Sequence, residues 1–341
     1  MKILLIVTGL GYGDSIRAEA IITKIKKLKP KTEVLVMGYD NSYEYFKNKY
    51  ETIKIKGYRF DQKGLKFRTG TFLFKNFHIP ISWILNYREN KERLKKFDPD
   101  LIISDFEIFS NFLAKKLKKK CISIFAFDPE LYNIYPNKTN NLSLQSKFLK
   151  KTYEISDKVI IPSFTKNKKV NNTYYINLII REGNKKNKKE IIKKLGLKEE
   201  PILVMLGGSK YGLILANKIN NIRNRFKENF IFFGGDFAFK ENFLEYLKVS
   251  KGLITLAGNL TLSEGFFYKK PMLVYPIENH VEQLLNVYSI KKYIVIGNKN
   301  NVEEDLNKFL SSLNKLKKNM PTFKFDGAKQ AAEIILKNYK N

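Results

Sequence analysis

The sequence predicts an α/β protein made of two doubly wound domains, and three stretches carry that reading. An apolar run at 2–7 (KILLIV) passes into a glycine-rich turn with Gly9, Gly11 and Gly13, then into an amphipathic segment. A second apolar run at 202–206 (ILVML) passes into Gly207 and Gly208. Between 252 and 275 an apolar run, a small-residue turn (Ala257, Gly258, Asn259), a helical stretch and another apolar run follow one another. Strand, glycine turn and helix is how a doubly wound unit opens. A turn without bulky side chains lets a ligand approach the backbone, and the next helix points free N–H groups at an anion. The 341 residues are enough for two domains, each with its own core.

Composition narrows the class. A hydrophobic content of 43% describes a globular chain. The single Cys121 excludes a disulfide framework and a Cys-rich metal site, and points to a reducing, cytoplasmic compartment. Residues 1–7 are too short for a signal segment, and no apolar run reaches the ~20 residues of a membrane span. The net charge of +30, from 63 Lys and Arg against 33 Asp and Glu, attracts polyanions: nucleic acid, an anionic membrane surface or phosphorylated substrates. Compositional drift explains it equally well, because Lys, Ile and Asn dominate throughout. The basic residues are dispersed and no recognition motif appears, so no nucleic-acid partner is expected.

Taken in order, the first turn places glycines at 9 and 11 but Asp14 where a dinucleotide fingerprint needs its third glycine, which argues against NAD. Asp14 precedes or opens a helix, so it is either an N-cap or a functional carboxylate. The helix runs to about Lys29 and stops at Pro30; a strand follows at 33–37. Residues 67–87 (FRTGTFLFKNFHIPISWILNY) mix Arg68 and Lys75 with Phe72, Phe74, Phe77 and Trp83. They form either a membrane-surface patch or a loop and helix packed into the core. His78 within them reads as structural. Asp98-Pro-Asp100 sits at a helix-to-strand turn and is not read as a metal site. Asp105 and Glu107 follow the strand 101–104, where open α/β sheets place their sites. Glu107 is then a general base if burial raises its pKa, or an acidic residue favoured by a helix N-terminus. Strands at 121–127 and 158–162 flank an Asn-rich region. Residues 1–165 form the first domain, and 166–200, with a short strand at 174–180 between their Lys and Asn runs, the linker and entry helix.

The second domain spans 201–325. Its first loop, Gly207-Gly208-Ser209-Lys210-Tyr211-Gly212, lacks the Gly-Lys-Ser/Thr of an ATP or GTP loop. Gly234 and Gly235 follow a strand at 230–233. After the turn at Gly258 come Asn259, Thr261 and Glu264, a carboxylate at a distance suited to a sugar or ribose diol. The plain alternative is an ordinary β-α-β unit in which Gly258 is only a turn. Lys270-Pro271 precede the strand 272–275, and His280, Glu282, Gln283 and Asn286 lie at the opening of the next helix. His280 either touches a ligand or caps that helix. A strand at 293–296, a helix from Val302 and a last helix at 326–341 complete the chain.

Ala257-Gly258, Thr261, Glu264, Lys270-Pro271 and Glu282-Gln283-x-x-Asn286 together resemble the donor signature of GT-B glycosyltransferases, specifically family 28. That family includes the lipid II-forming N-acetylglucosaminyltransferase and archaeal enzymes acting on polyprenol-linked sugars. Gly9, Gly11, Gly13, Arg17 and the Gly207-Gly208-Ser209 loop fit the same pattern. The resemblance implies two Rossmann-like domains facing across a cleft, with the last helix crossing back to the first. It implies inverting, metal-independent transfer, with no cofactor, from a UDP-sugar such as UDP-N-acetylglucosamine to a glycan or polyprenol-linked acceptor. Glu264 would hold the ribose, and Gly207, Gly208, Ser209, Gly258, Asn259 and Thr261 the diphosphate. Gly234 would line the uridine pocket; His280, Glu282 and Gln283 would meet the sugar, with Asn286 also donor-binding. Gly11, Gly13 and Arg17 would form the acceptor loop. Asp14 replaces the family's His, so Asp14 or Glu107 is the expected base. A degenerate GT-B protein binding nucleotide-sugar or anionic membrane as a partner subunit is the rival reading. A UDP-sugar 2-epimerase is disfavoured by the presence of only two His.

Overall fold

The computed structural model describes residues 1–61, 64–166, 168–183, 186–207, 210–234 and 242–339. They divide into two units, 1–61 with 68–179 and 324–341, and 62–67 with 180–323.

The first unit alternates strands and helices from its N-terminus: β1 Lys2–Val7, α1 Tyr12–Leu28, β2 Glu33–Gly38, α2 Asp40–Phe46 and β3 Glu51–Lys54. Then come α3 Thr69–Lys75, α4 Ile79–Phe97, β4 Leu101–Asp105, α5 Phe109–Leu117, β5 Cys121–Ile124 and α6 Asn140–Glu154. β6 Lys158–Pro162, β7 Lys169–Val170 and β8 Thr173–Ile176 finish the sheet. Among the described residues its order is β3-β2-β1-β4-β5-β6-β8-β7, parallel throughout except β7. β1 shows why the run is apolar on both faces. Ile3, Leu5 and Val7 pack in one cluster with α1, while Leu4 and Ile6 pack in another with Leu94, Phe109 and Leu113. Residues 169–176, which include the start of the short strand expected within the linker, extend this sheet, because Thr173, Tyr175 and Ile176 bury against β6.

The second unit contains α7 Lys188–Leu195, β9 Ile202–Met205, α8 Leu213–Ile222, β10 Phe230–Phe233, α9 Phe243–Val249 and β11 Gly252–Leu256. α10 Asn259–Phe267, β12 Met272–Tyr275, α11 Val281–Ile290, β13 Val295–Ile296 and α12 Val302–Lys318 follow. Among the described residues the sheet runs β10-β9-β11-β12-β13, all parallel. The final helix, α13 Gly327–Tyr339, returns to the first unit, where Ala328, Ala331, Ala332 and Ile335 join the cluster under α1. Two Rossmann-like domains result.

Strand order locates the sites. In an open parallel sheet, ligands bind beyond the carboxyl ends of strands where the order reverses. That point lies between β1 and β4 in the first unit and between β9 and β11 in the second.

Candidate functional site

At the reversal point of the second unit, β11 ends in Ala257 and Gly258, and α10 begins at Asn259. Gly258 stands at the N-cap with φ −73°, and no side chain caps the helix. A Cβ at Gly258 would meet nothing within 4 Å. Neither backbone strain nor packing therefore demands glycine here, and the missing side chain leaves open space in front of the first turn. The N–H groups of that turn carry the positive end of the helix dipole. Thr261, in the same turn, is half-buried and its hydroxyl makes no hydrogen bond to the described residues. Gly207 (φ +85°) and Gly234 (φ +81°) end the neighbouring strands in the left-handed region. There glycine is required, and a Cβ on Gly234 would press on the Gly207 carbonyl. Gly208, Ser209 and Gly235 lie outside the described residues.

α11 supports the turn from the side. Gln283 Oε1 accepts from the Ala257 N–H at 3.3 Å and the Ile277 N–H at 3.0 Å. Its amide nitrogen makes no hydrogen bond to the described residues. Asn286 is buried, and its Nδ2 donates to the Ala257 carbonyl at 3.1 Å. Asn286, expected from the sequence to be donor-binding, shapes the turn through this bond. Glu282 is half-buried in the first turn of α11. His280 occupies the N-cap of α11 but makes no side-chain cap bond. Its ring lies edge-on to Phe67 at 5.4 Å, its Nδ1 is buried without a partner, and burial pushes its pKa down to about 4. His280 is therefore a neutral imidazole.

Glu264 departs most from its simple reading. Its side chain is 0% exposed, and Arg181 Nε and Nη2 donate to its two oxygens at 2.6 Å each. Arg181 keeps 28% of its surface and lies over the Phe243 ring. Oε1 also accepts from the Arg181 backbone N–H at 3.4 Å, while Oε2, with the single Nη2 bond, retains acceptor capacity. Arg181 was not legible as a site residue: it sits among Lys and Asn runs that read as linker.

The first unit has its own cluster at the ends of β1 and β4. Arg17 is buried on α1, donating to Asp14 Oδ1 at 2.6 Å and, through Nε and Nη2, to both oxygens of Asp105. Burial pushes the Asp105 carboxyl upward while Arg17 pulls it the other way. Asp14 is not an N-cap: Gly11 holds that position, and Asp14 lies in the first turn with 21% of its side chain exposed. Arg17, enclosed between two carboxylates, is not presented to a phosphate. Cβ atoms at Gly11 and Gly13 would meet nothing within 4 Å. Glu107 is 3% exposed, accepts from Tyr39 Oη at 3.0 Å and from the Phe109 N–H at 3.3 Å, and burial pushes it up to about 7. Asp98 pairs with Lys119, and Asp100 accepts from the Lys2 N–H, so both tie down the turn before β4.

The outer face of α3 and the start of α4 is apolar and exposed at Leu73, Phe74, Phe77, Ile81 and Ile84. The inner face packs: Phe72 stacks on Tyr58, and Trp83 and Tyr87 meet Phe112. No helix among the described residues is long and apolar enough to cross a membrane.

Residues 1–314 match the family model described as Glycosyl transferase family 1. An uncharacterized glycosyltransferase of Methanosarcina mazei is 22% identical over 338 residues, covering 86% of this chain and 84% of that protein. A UDP-glucosyltransferase from Polygonum tinctorium capable of glucosylating indoxyl superposes with a TM-score of 0.65, at 14% identity, over 100% of this chain and 99% of that one. MurG of Acinetobacter baumannii superposes with a TM-score of 0.62, at 11% identity, over 98% and 99%. The GT-B resemblance read from the residues is confirmed, under the description family 1 in place of family 28.

Proposed function

We propose, since the chain belongs to glycosyl transferase family 1 and is a GT-B glycosyltransferase, that it moves N-acetylglucosamine from UDP-N-acetylglucosamine to a lipid-linked or other glycan acceptor with inversion. The observation that carries this is the uncapped mouth of α10: Gly258 leaves open space before the positive end of the helix and before the Thr261 hydroxyl, which makes no hydrogen bond to the described residues. A departing nucleoside diphosphate needs positive potential, and preorganised helix N–H groups supply it without reorganisation. We assign the diphosphate to Gly207, Gly208, Ser209, Gly258, Asn259 and Thr261, and the base's edge to Gly234. The Gln283 amide nitrogen, held in place through its oxygen, meets sugar hydroxyls together with Glu282 and His280. Glu264 takes the ribose diol once the part-exposed Arg181 side chain yields some of the carboxylate. No cofactor and no metal ion enters this scheme.

In the first unit, Asp14 is the general base. It keeps solvent access that Glu107 lacks, and Arg17, backed by Asp105, fixes its carboxylate. A positioned carboxylate of this kind contributes about 10²- to 10⁴-fold by taking the acceptor hydroxyl's proton. The exposed face of 67–87 rests on an anionic, cytoplasmic membrane surface, its aromatics in the interface and the basic chain above it. The test is donor binding by calorimetry, followed by transfer or slow donor hydrolysis with and without EDTA. Saturable UDP-sugar binding with EDTA-resistant turnover is the expected result. Binding without any turnover would make the protein a degenerate partner subunit instead, and no binding would end the transferase reading for this chain.

A further inference from the structure

The loop that leads from β1 to Asp14 is buried at Thr8 and Gly9 and loses its packing beyond them. Gly11 and Gly13 face open space, and glycines carry the largest conformational entropy to be lost. A general base must nevertheless stand within hydrogen-bond reach of its proton, and small displacements cost rate steeply.

Residues 39–42, the N-cap and first turn of α2, supply what the loop lacks. Ser42 Oγ donates to the Val7 carbonyl at 3.0 Å. Thr8 Oγ1 hydrogen-bonds Tyr39 Oη at 3.0 Å. The Asn41 N–H donates to the Gly9 carbonyl at 3.4 Å, and Asn41 Nδ2 to the Leu10 carbonyl at 3.2 Å. Four consecutive residues, Val7 to Leu10, are thus each held from the same short turn. Tyr39 itself is fixed on both edges of its ring: a Cβ at Gly9 would collide with one edge, and a Cβ at Gly57 with the other. Its hydroxyl passes the hydrogen bond from Thr8 on to Glu107.

Backbone strain flanks this chain. Asp40 (φ +43°) follows Tyr39 and Phe106 (φ +56°) precedes Glu107, both non-glycine residues in the left-handed region. Such strain persists only where the surroundings enforce it. At Phe106 it breaks the two-residue alternation of β4, so Asp105 goes to Arg17 while Glu107 goes to Tyr39.

We infer that Tyr39 and Asn41 are positioning residues that set the loop leading into the helix turn that carries Asp14, an inference that rests on the transferase reading above. They act through the loop and touch no substrate. The test uses the full chain with Tyr39→Phe and Asn41→Ala, and Glu44→Ala on the same helix as the control. Turnover is expected to fall tenfold or more in the first two, with the UDP-sugar dissociation constant unchanged and the thermal midpoint within about 2 °C. Amide hydrogen exchange at Leu10 to Gly13, followed by mass spectrometry, is expected to quicken at least tenfold in both and not in the control. Unchanged turnover with unchanged exchange would overturn the inference, as would a loss of donor affinity in place of turnover. If the wild type binds no nucleotide-sugar, the transferase reading fails on its own, and the exchange rates still decide whether residues 39–42 hold the loop.

Discussion

Glu264 and Arg181 show how a fully buried carboxylate is anchored. Removing Arg181 leaves a carboxylate at 0% exposure without its counter-charge. For fully buried pairs that costs about 3–5 kcal/mol, and the partial exposure of Arg181 brings the figure to about 2–3 kcal/mol for Arg181→Ala, read from urea midpoints. Asp14→Asn is expected to keep donor affinity and lose about 10²-fold or more in turnover, read as initial rates of transfer or donor hydrolysis. Burial acts in opposite directions on two further side chains. Glu107 titrates at about 7 in the folded chain against ~4.3 unfolded, and His280 at about 4 against ~6.5. Between those limits the folded chain holds more protons at Glu107 and fewer at His280 than the unfolded chain. Stability therefore falls at Glu107 as pH rises from about 4 to 7, and at His280 as pH drops from about 6.5 to 4. Denaturation midpoints measured from pH 4.5 to 8 are expected to show Glu107→Gln gaining on the wild type as pH rises, and His280→Gln gaining as pH falls. The reverse slopes would contradict the burial argument. Arg181 was hidden in the sequence because an ion pair 83 residues long-range has no local pattern. Glu264, by contrast, was visible from its spacing to Gly258, although its partner was not.

At the scale of elements, strand, turn and helix at 252–267 were legible because each follows from local rules: a buried apolar run, small residues, then a helix. What no local rule conveyed is that α11 braces this turn, with Gln283 and Asn286 both bonded to Ala257. The place of 169–176 in the first sheet was hidden for a related reason. The strand from Tyr174 was legible, but it is short and lies among lysines, and only pairing with β6 assigns it to that sheet. The brace gives a prediction of its own. Gln283→Leu removes the acceptor for two buried N–H groups and costs about 1–3 kcal/mol of stability along with donor affinity. Gln283→Glu keeps an acceptor there and is expected to recover most of the stability in urea unfolding but not the affinity.

For the whole molecule, the doubly wound class was readable from strand and glycine order and the return of the last helix from the family resemblance, whereas the use of the +30 charge was not. The exposed row on α3 and α4 gives that charge a direction to test: co-sedimentation with anionic vesicles is expected, weakening in Phe74→Glu with Phe77→Glu and in high salt. Equal binding to neutral vesicles would remove the charge from the account. The most direct measurement concerns the mouth of α10. Calorimetry of UDP-N-acetylglucosamine with the wild type and Gly258→Val sets ligand space against fold, because φ −73° and an empty surround tolerate a side chain. The account predicts saturable binding in the wild type, weakened at least tenfold in the variant at an unchanged thermal midpoint. Equal affinity in the two proteins would place the donor elsewhere and contradict it.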